Sequence, residues 1–297
     1  MEVPDIIVIG APRSGTTSLY RYLDEHPEVY MSPLKETRFF AYEGQEVDYE
    51  GPADAYAYNR DTVTDAATYR RLFKDRASGQ RTGEASPVYL YRGDRAAERI
   101  HDHVPDARLV AIFRNPVERA YSDFLNMVRL GWEPVHDFEE ALAREEERIA
   151  AHWSPYYHYQ AKGFYADQVR TYLRRFDREQ VKFFLFEELR RDAAAAMEEF
   201  VTLVGVDPAV EVGTETRHNR SGLPRSDVAH RLLTHPLLER VMRGPLRTLR
   251  TTLRDWNTAH EKPPLGPAVR AELQETYRED VQDLQDLIDR DLSHWLS

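Results

Sequence analysis

Apolar residues along this chain fall into short runs separated by helical stripes. Ile6-Ile7-Val8-Ile9 has the length and content of a strand, and Leu19, Tyr20 and Leu23 then share one helical face until Pro27 ends the pattern. Val29-Tyr30-Met31 reads as a short strand between prolines. From about Thr64 to Lys74, Ala67, Tyr69, Leu72 and Phe73 form a helical face, and residues 81–89 read as a strand end opening into a turn. Leu109 to Phe113 is a continuous apolar run of the buried parallel-strand type. Val117, Tyr121, Phe124 and Val128 follow at helical spacing, which predicts a helix from about 116 to 130. Asn115 suits its N-cap, Pro116 its first position and Gly131 its stop.

Farther on, Lys162-Gly163-Phe164-Tyr165 opens a helix running through Leu173, and Val181 to Phe186 reads as another strand. An alanine-rich helix over 192–203 ends at Gly205. Tyr277, Val281, Leu284, Ile288, Leu292 and Trp295 make one apolar stripe, expected to be a helix docked on the core. Residues 41–62 lack periodicity and read as a loop, either a connection or part of a cleft wall. No internal repeat or low-complexity linker divides the chain.

The candidate chemistry begins between the first run and the first stripe. Gly10-Ala11-Pro12-Arg13-Ser14-Gly15-Thr16-Thr17-Ser18 joins a strand to a helix through a Gly-rich turn. Such a turn aims free backbone N–H groups and the positive end of the helix at one point, which suits an anion. Gly10 and Gly15 have the spacing of a Walker A loop, but Thr16 stands where that loop has its lysine. The fixed charge comes from Arg13 inside the turn, and Thr16, Thr17 and Ser18 add hydroxyls.

Two other groups have the types needed to join it. Glu36 lies between Lys35 and Arg38 and precedes Phe39-Phe40, an arrangement either of a surface salt-bridge cluster or of a tuned proton acceptor. Arg114 ends the 109–113 run at the strand-to-helix junction where ligands of open α/β sheets collect, and Ser122, a little over two helical turns later, returns to a similar azimuth.

The 297 residues include 51 Asp and Glu against 40 Lys and Arg, a net charge of −11, so nucleic acid is an unsuitable partner and an anionic ligand needs a local basic site. There is no cysteine, which excludes disulfides, zinc-thiolate sites and cysteine nucleophiles. The apolar run at the N-terminus is too short for a signal peptide or a membrane span, so the expected location is cytoplasmic. Basic residues at 231–256 offer peripheral contact with a membrane surface, contact with an anionic acceptor, or a solvated helix face.

Pro12-Arg13-Ser14-Gly15-Thr16-Thr17-Ser18-Leu19 resembles the 5′-phosphosulfate loop of sulfotransferases that use 3′-phosphoadenylyl sulfate (PAPS). Arg114-Asn115-Pro116-Val117-Glu118-Arg119-Ala120-Tyr121-Ser122 resembles the 3′-phosphate element of the same family. The His26-Pro27, Lys35-Glu36 and Phe39-Phe40 succession is similar to the heparan-sulfate type, in which the glutamate is the general base. Arg38 stands where those relatives usually have histidine, and Ala85 where they commonly have lysine after Glu84.

The resemblance covers residues 5–205 and, more weakly, the remainder. It implies a single P-loop-like α/β domain with a central parallel sheet and helices on both faces, residues 206–297 adding a nucleotide lid and docking helices. The activity it implies is transfer of a sulfuryl group from PAPS to a hydroxyl or amine of a small-molecule or glycan acceptor, with PAP as product and no metal expected. Glu36, Arg13 and Lys35 would serve catalysis. Arg13, Ser14, Gly15, Thr16, Thr17, Ser18, Arg114 and Ser122 would hold the donor, with Arg217, Asn219 and Arg220 of the basic 217–225 loop over its adenylate. A P-loop kinase or NTPase and a non-catalytic nucleotide- or glycan-binding module remain the competing readings.

Overall fold

Strands β1 (Ile6–Gly10), β2 (Val29–Met31), β3 (Arg81–Ala85), β4 (Arg108–Phe113) and β5 (Val181–Leu185) form one parallel sheet in the order β2-β3-β1-β4-β5. The computed structural model describes residues 3–210, 212–213 and 263–297. The basic 217–225 loop, with Arg217, Asn219 and Arg220, and the basic 231–256 segment lie outside the described residues.

The apolar runs are strands because both of their faces are covered. Along β1, Ile7 and Ile9 join one buried cluster while Ile6 and Val8 join the other; along β4, Leu109, Ala111 and Phe113 oppose Val110 and Ile112 in the same way. Helices Gly93–His103, Pro116–Leu130, Tyr165–Leu173 and Pro267–Ile288 cover the first face, and helices Thr16–Glu25 and Ala193–Val204 the second. Each fully buried Ile, Leu or Val contributes about 1.5–3 kcal/mol, so this two-sided burial is the main reason the sheet persists.

Strand order decides where a ligand can sit. From β1 the chain passes outward to β2, returns through β3, and then crosses to β4 on the opposite side of β1. The connections leaving β1 and β4 therefore diverge and open a crevice at the carboxyl ends of these two strands. Register breaks between Val8 and Gly10 at this point. A Cβ on Gly10 would lie 2.6 Å from the Cβ of Leu90, so the helix Val88–Tyr91 approaches closely only because residue 10 is glycine.

The caps behave as their residue types require. Asn115 Oδ1 accepts from Val117 N (3.0 Å) and Glu118 N (3.4 Å), and Gly131 closes the Pro116–Leu130 helix with φ 74°. Asp280 of the C-terminal helix accepts from Tyr165 N (2.7 Å) and Ala166 N (3.0 Å), so that helix caps Tyr165–Leu173 as well as covering it.

Three expectations are corrected. Residues 41–62 include short helical turns at Asp54–Tyr56 and Tyr58–Asp61, stabilised by aromatic packing rather than by a repeating stripe. The C-terminal helix ends at Ile288, where Asp289 turns left-handed (φ 53°); Leu292 and Trp295 are still buried, but they come from the segment that folds back after it. Strand β5 ends at Leu185, and Phe186 begins the helix Phe186–Arg191.

Candidate active site

A cavity of about 1010 Å³ opens at the carboxyl ends of β1 and β4. Its lining among the described residues holds eight Lys and Arg against four Asp and Glu, a local reversal of the chain's acidic balance. Arg13, Gly15, Thr16, Thr17 and Ser18 border it from the loop after β1, Arg114 and Ser122 from the region after β4, and Lys35 and Glu36 from a third segment. Ser14 is fully buried and lies outside this lining, with its N–H donating to Ala11 O at 3.3 Å.

The loop after β1 is shaped as an anion cradle. Arg13 and Gly15 both adopt left-handed backbone (φ 66° and 98°), a conformation that costs a non-glycine residue about 1 kcal/mol or more and is characteristic of functional turns. Helix Thr16–Glu25 then starts at the cavity without a side-chain cap and without an acidic residue in its first turn. Its leading N–H groups and positive dipole end therefore face the cavity with no carboxylate of the helix's own first turn to offset them.

The two phosphate-site candidates are physically joined. Arg13 Nε donates to Ser122 Oγ (3.4 Å), and Arg114 Nη1 donates to the main-chain oxygen of Arg13 (3.1 Å). Tyr165 OH donates to Arg114 O (3.1 Å), and the Arg114 guanidinium lies 4.8 Å from the centre of the Phe186 ring. Burial lowers the Arg114 pKa to about 10 despite Glu118 beside it, which still leaves the side chain charged at neutral pH. Burial likewise lowers that of Arg13, opposed by Asp123 and Glu36. Behind Ser122, Asp123 accepts from Arg119 Nη1 (3.2 Å) and pairs with Lys162 Nζ (2.7 Å), so the floor of the cavity is a buried charge network. Asp123 and Lys162 border the cavity without a motif that announces them in the sequence.

Glu36 reaches the same space from beyond β2. Its N–H donates to Ala85 O (2.9 Å), which holds it at the carboxyl end of β3, and its side chain is 36% exposed. Lys35 Nζ lies 2.9 Å from Oε1 and Arg38 Nη2 3.6 Å from Oε2. Burial pushes the Glu36 carboxyl up, but the charges of Lys35 and Arg38, the Lys35 hydrogen bond and Arg13 together outweigh it and hold the pKa at about 2. The group is thus an ionised acceptor at neutral pH.

Buried Glu84 supports that segment from beneath. Its carboxylate accepts from Thr37 Oγ1 (2.9 Å), Ser86 Oγ (2.8 Å), Tyr69 OH (2.8 Å) and Tyr89 OH (2.7 Å). Thr37 sits between Glu36 and Arg38, both in left-handed backbone (φ 64° and 56°), and Ser86 Oγ also accepts from Arg38 N (3.0 Å). Burial raises the Glu84 pKa, the four hydroxyls opposing it. The sequence exposed the turn around Glu84 but not this role, because its partners are spread over residues 37 to 89.

The sequence profile described as the Sulfotransferase family matches residues 4–209. The chain is 33% identical to the sulfotransferase of Alicyclobacillus acidocaldarius, with the whole of both chains aligned and a TM-score of 0.78. It is 27% identical over 208 residues to mouse heparan sulfate glucosamine 3-O-sulfotransferase 3B1, covering 69% of this chain and 47% of that protein. To mouse bifunctional heparan sulfate N-deacetylase/N-sulfotransferase 4 it is 26% identical over 220 residues, covering 70% of this chain and 23% of that one. The chain thus spans about half or less of the length of these curated relatives. With the profile and the aligned fold in agreement, this chain belongs to the Sulfotransferase family.

Proposed function

We propose that the protein moves the sulfuryl group of PAPS to a hydroxyl of an acceptor held beside Glu36 and releases PAP. The observation that carries this reading is that the loop after β1 and the Arg114–Ser122 element border one cavity and are joined through Arg13. A donor with phosphate groups at both ends of its ribose needs two such sites in one cleft.

In this reading the uncapped helix end, Arg13, Thr16, Thr17 and Ser18 receive the phosphosulfate, and Arg114 and Ser122 receive the 3′-phosphate. The acceptor oxygen attacks sulfur, the bond from sulfur to the bridging phosphate oxygen breaks, and its electron pair stays on the phosphate. Glu36 takes the acceptor proton, steered by Lys35. Arg13 and the loop N–H groups meet the charge growing on the leaving oxygen, where preorganised donors are most effective.

Heparan sulfate, named in two of the relatives, supports a carbohydrate acceptor. The side chains lining the cavity beside Glu36 favour a different class. Incubation with PAPS and a panel of hydroxyl compounds, followed by quantification of PAP, tests the reaction itself. Acceptor-dependent PAP release is expected; magnesium-dependent ATP turnover without PAP release would establish the kinase or NTPase reading instead.

A further inference from the structure

One wall of the cavity that holds Glu36 is aromatic and apolar. Leu34, Tyr58, Leu130, Trp132, Pro155 and Tyr156 border it. Trp132 and Tyr156 stack with ring centres 5.4 Å apart and planes 29° apart, and Tyr156 meets Tyr58 edge to face at 4.8 Å. Both Trp132 and Tyr156 remain partly exposed. Arg38 fastens this wall to the base: its Nη2 donates to Tyr156 OH (2.6 Å) and lies 3.6 Å from Glu36 Oε2, while its guanidinium covers the Tyr58 ring at 4.4 Å.

Three of the positive charges on this side are held by carboxylates, and a fourth by a neutral amide. Lys35 and Arg38 pair with Glu36, Lys162 pairs with Asp123, and Arg129 donates to Asn126 Oδ1 at 3.0 Å. Asp61 borders the same cavity and contributes a negative charge near Tyr156. A sulfated polymer brings several anions that would have to displace the Lys35, Arg38 and Lys162 pairs, and its repeats beyond the basic cavity would meet a chain of net charge −11. A neutral ring has no such cost and gains contact area on the rings already stacked there.

We propose that the acceptor is an uncharged aromatic hydroxyl compound, a phenol of one or two rings, whose ring lies against Trp132 and Tyr156 with its oxygen at Glu36, and not a sulfated polysaccharide. This rests on the sulfuryl-transfer reading and specifies its acceptor. Base strength agrees: a carboxylate held at about 2 is a weak base. It is better matched to a phenol, with a pKa of about 10, than to a far less acidic sugar hydroxyl.

The test compares 2-naphthol with an N-sulfated heparosan hexasaccharide as acceptors for PAPS, alongside the thermal shift given by PAP. A kcat/KM for 2-naphthol higher by about tenfold or more is expected. Trp132→Ala should raise the 2-naphthol KM by about tenfold with kcat little changed and the PAP shift retained. Trp132→Leu, which keeps bulk without the ring, should do the same and serves if the alanine variant does not fold. Preference for the hexasaccharide, transfer to neither compound while PAP still binds, or an unchanged KM in both variants would overturn the inference and leave PAPS binding standing. Loss of the PAP shift in the wild-type protein would instead overturn the sulfuryl-transfer reading beneath it.

Discussion

The guanidinium of Arg114 donates to the main-chain oxygen of Arg13, 101 residues earlier, at 3.1 Å. Each arginine follows a strand beside the point where the sheet reverses its order, so the topology that buries β1 also brings two cationic groups to one crevice. Arg114→Ala removes a phosphate ligand and a brace of the β1 loop together. It should weaken PAP binding by about a hundredfold, and Ser122→Ala, which deletes one hydroxyl, by about tenfold or less. Isothermal titration of both variants with PAP checks the order of these effects.

Glu36→Gln keeps the size of the side chain and removes its basicity. Turnover should fall by about two orders of magnitude or more while PAP affinity stays within about threefold of wild type. Steady-state rates and titration on the same preparation separate a proton acceptor from a residue that only shapes the cavity.

The depressed pKa of Glu36 fixes the sign of a pH effect. Its folded-state value of about 2 lies below the unfolded carboxylate value of about 4.3, so its stabilising contribution is present above the latter and is lost as pH falls toward the former. Protonation of this group therefore leaves no acid limb in kcat/KM between about pH 5 and 8. An inflection there that disappears in Glu36→Gln would contradict the assignment.

Glu84→Ala strips the shared acceptor from four buried hydroxyls. Destabilisation of about 3 kcal/mol or more is expected. Glu84→Gln, which retains acceptor capacity on one atom, should lose less. Thermal denaturation of the two variants measures the difference.

The apolar runs and end signals made most of the architecture readable. Ile6–Ile9 and Leu109–Phe113 read as buried strands and are, and Asn115, Pro116 and Gly131 bound their helix where their backbone chemistry demands. Arg13, Arg114 and Ser122 were visible because strand ends and helical periodicity fix where a side chain points. Arg38 reads in sequence either as part of a surface salt-bridge cluster or as a cation tuning Glu36; it is buried because Tyr58 and Tyr156 enclose it. Tyr156 lies 118 residues from Arg38, and no local spacing encodes that meeting. The same is true of Trp132 against Tyr156 and of Glu84 against Thr37: side chains brought together by the return of distant segments leave no periodic trace.

The central claim is that two anion sites in one cleft clasp a donor carrying a 3′-phosphate. Its most direct test is the melting temperature with PAP and with ADP, without magnesium. At about one hundred times its Kd, PAP should stabilise the protein by about 2.7 kcal/mol, a rise of about 4 °C for a domain of this size, with ADP giving far less at equal concentration. Equal shifts from PAP and ADP would contradict the two-site clasp.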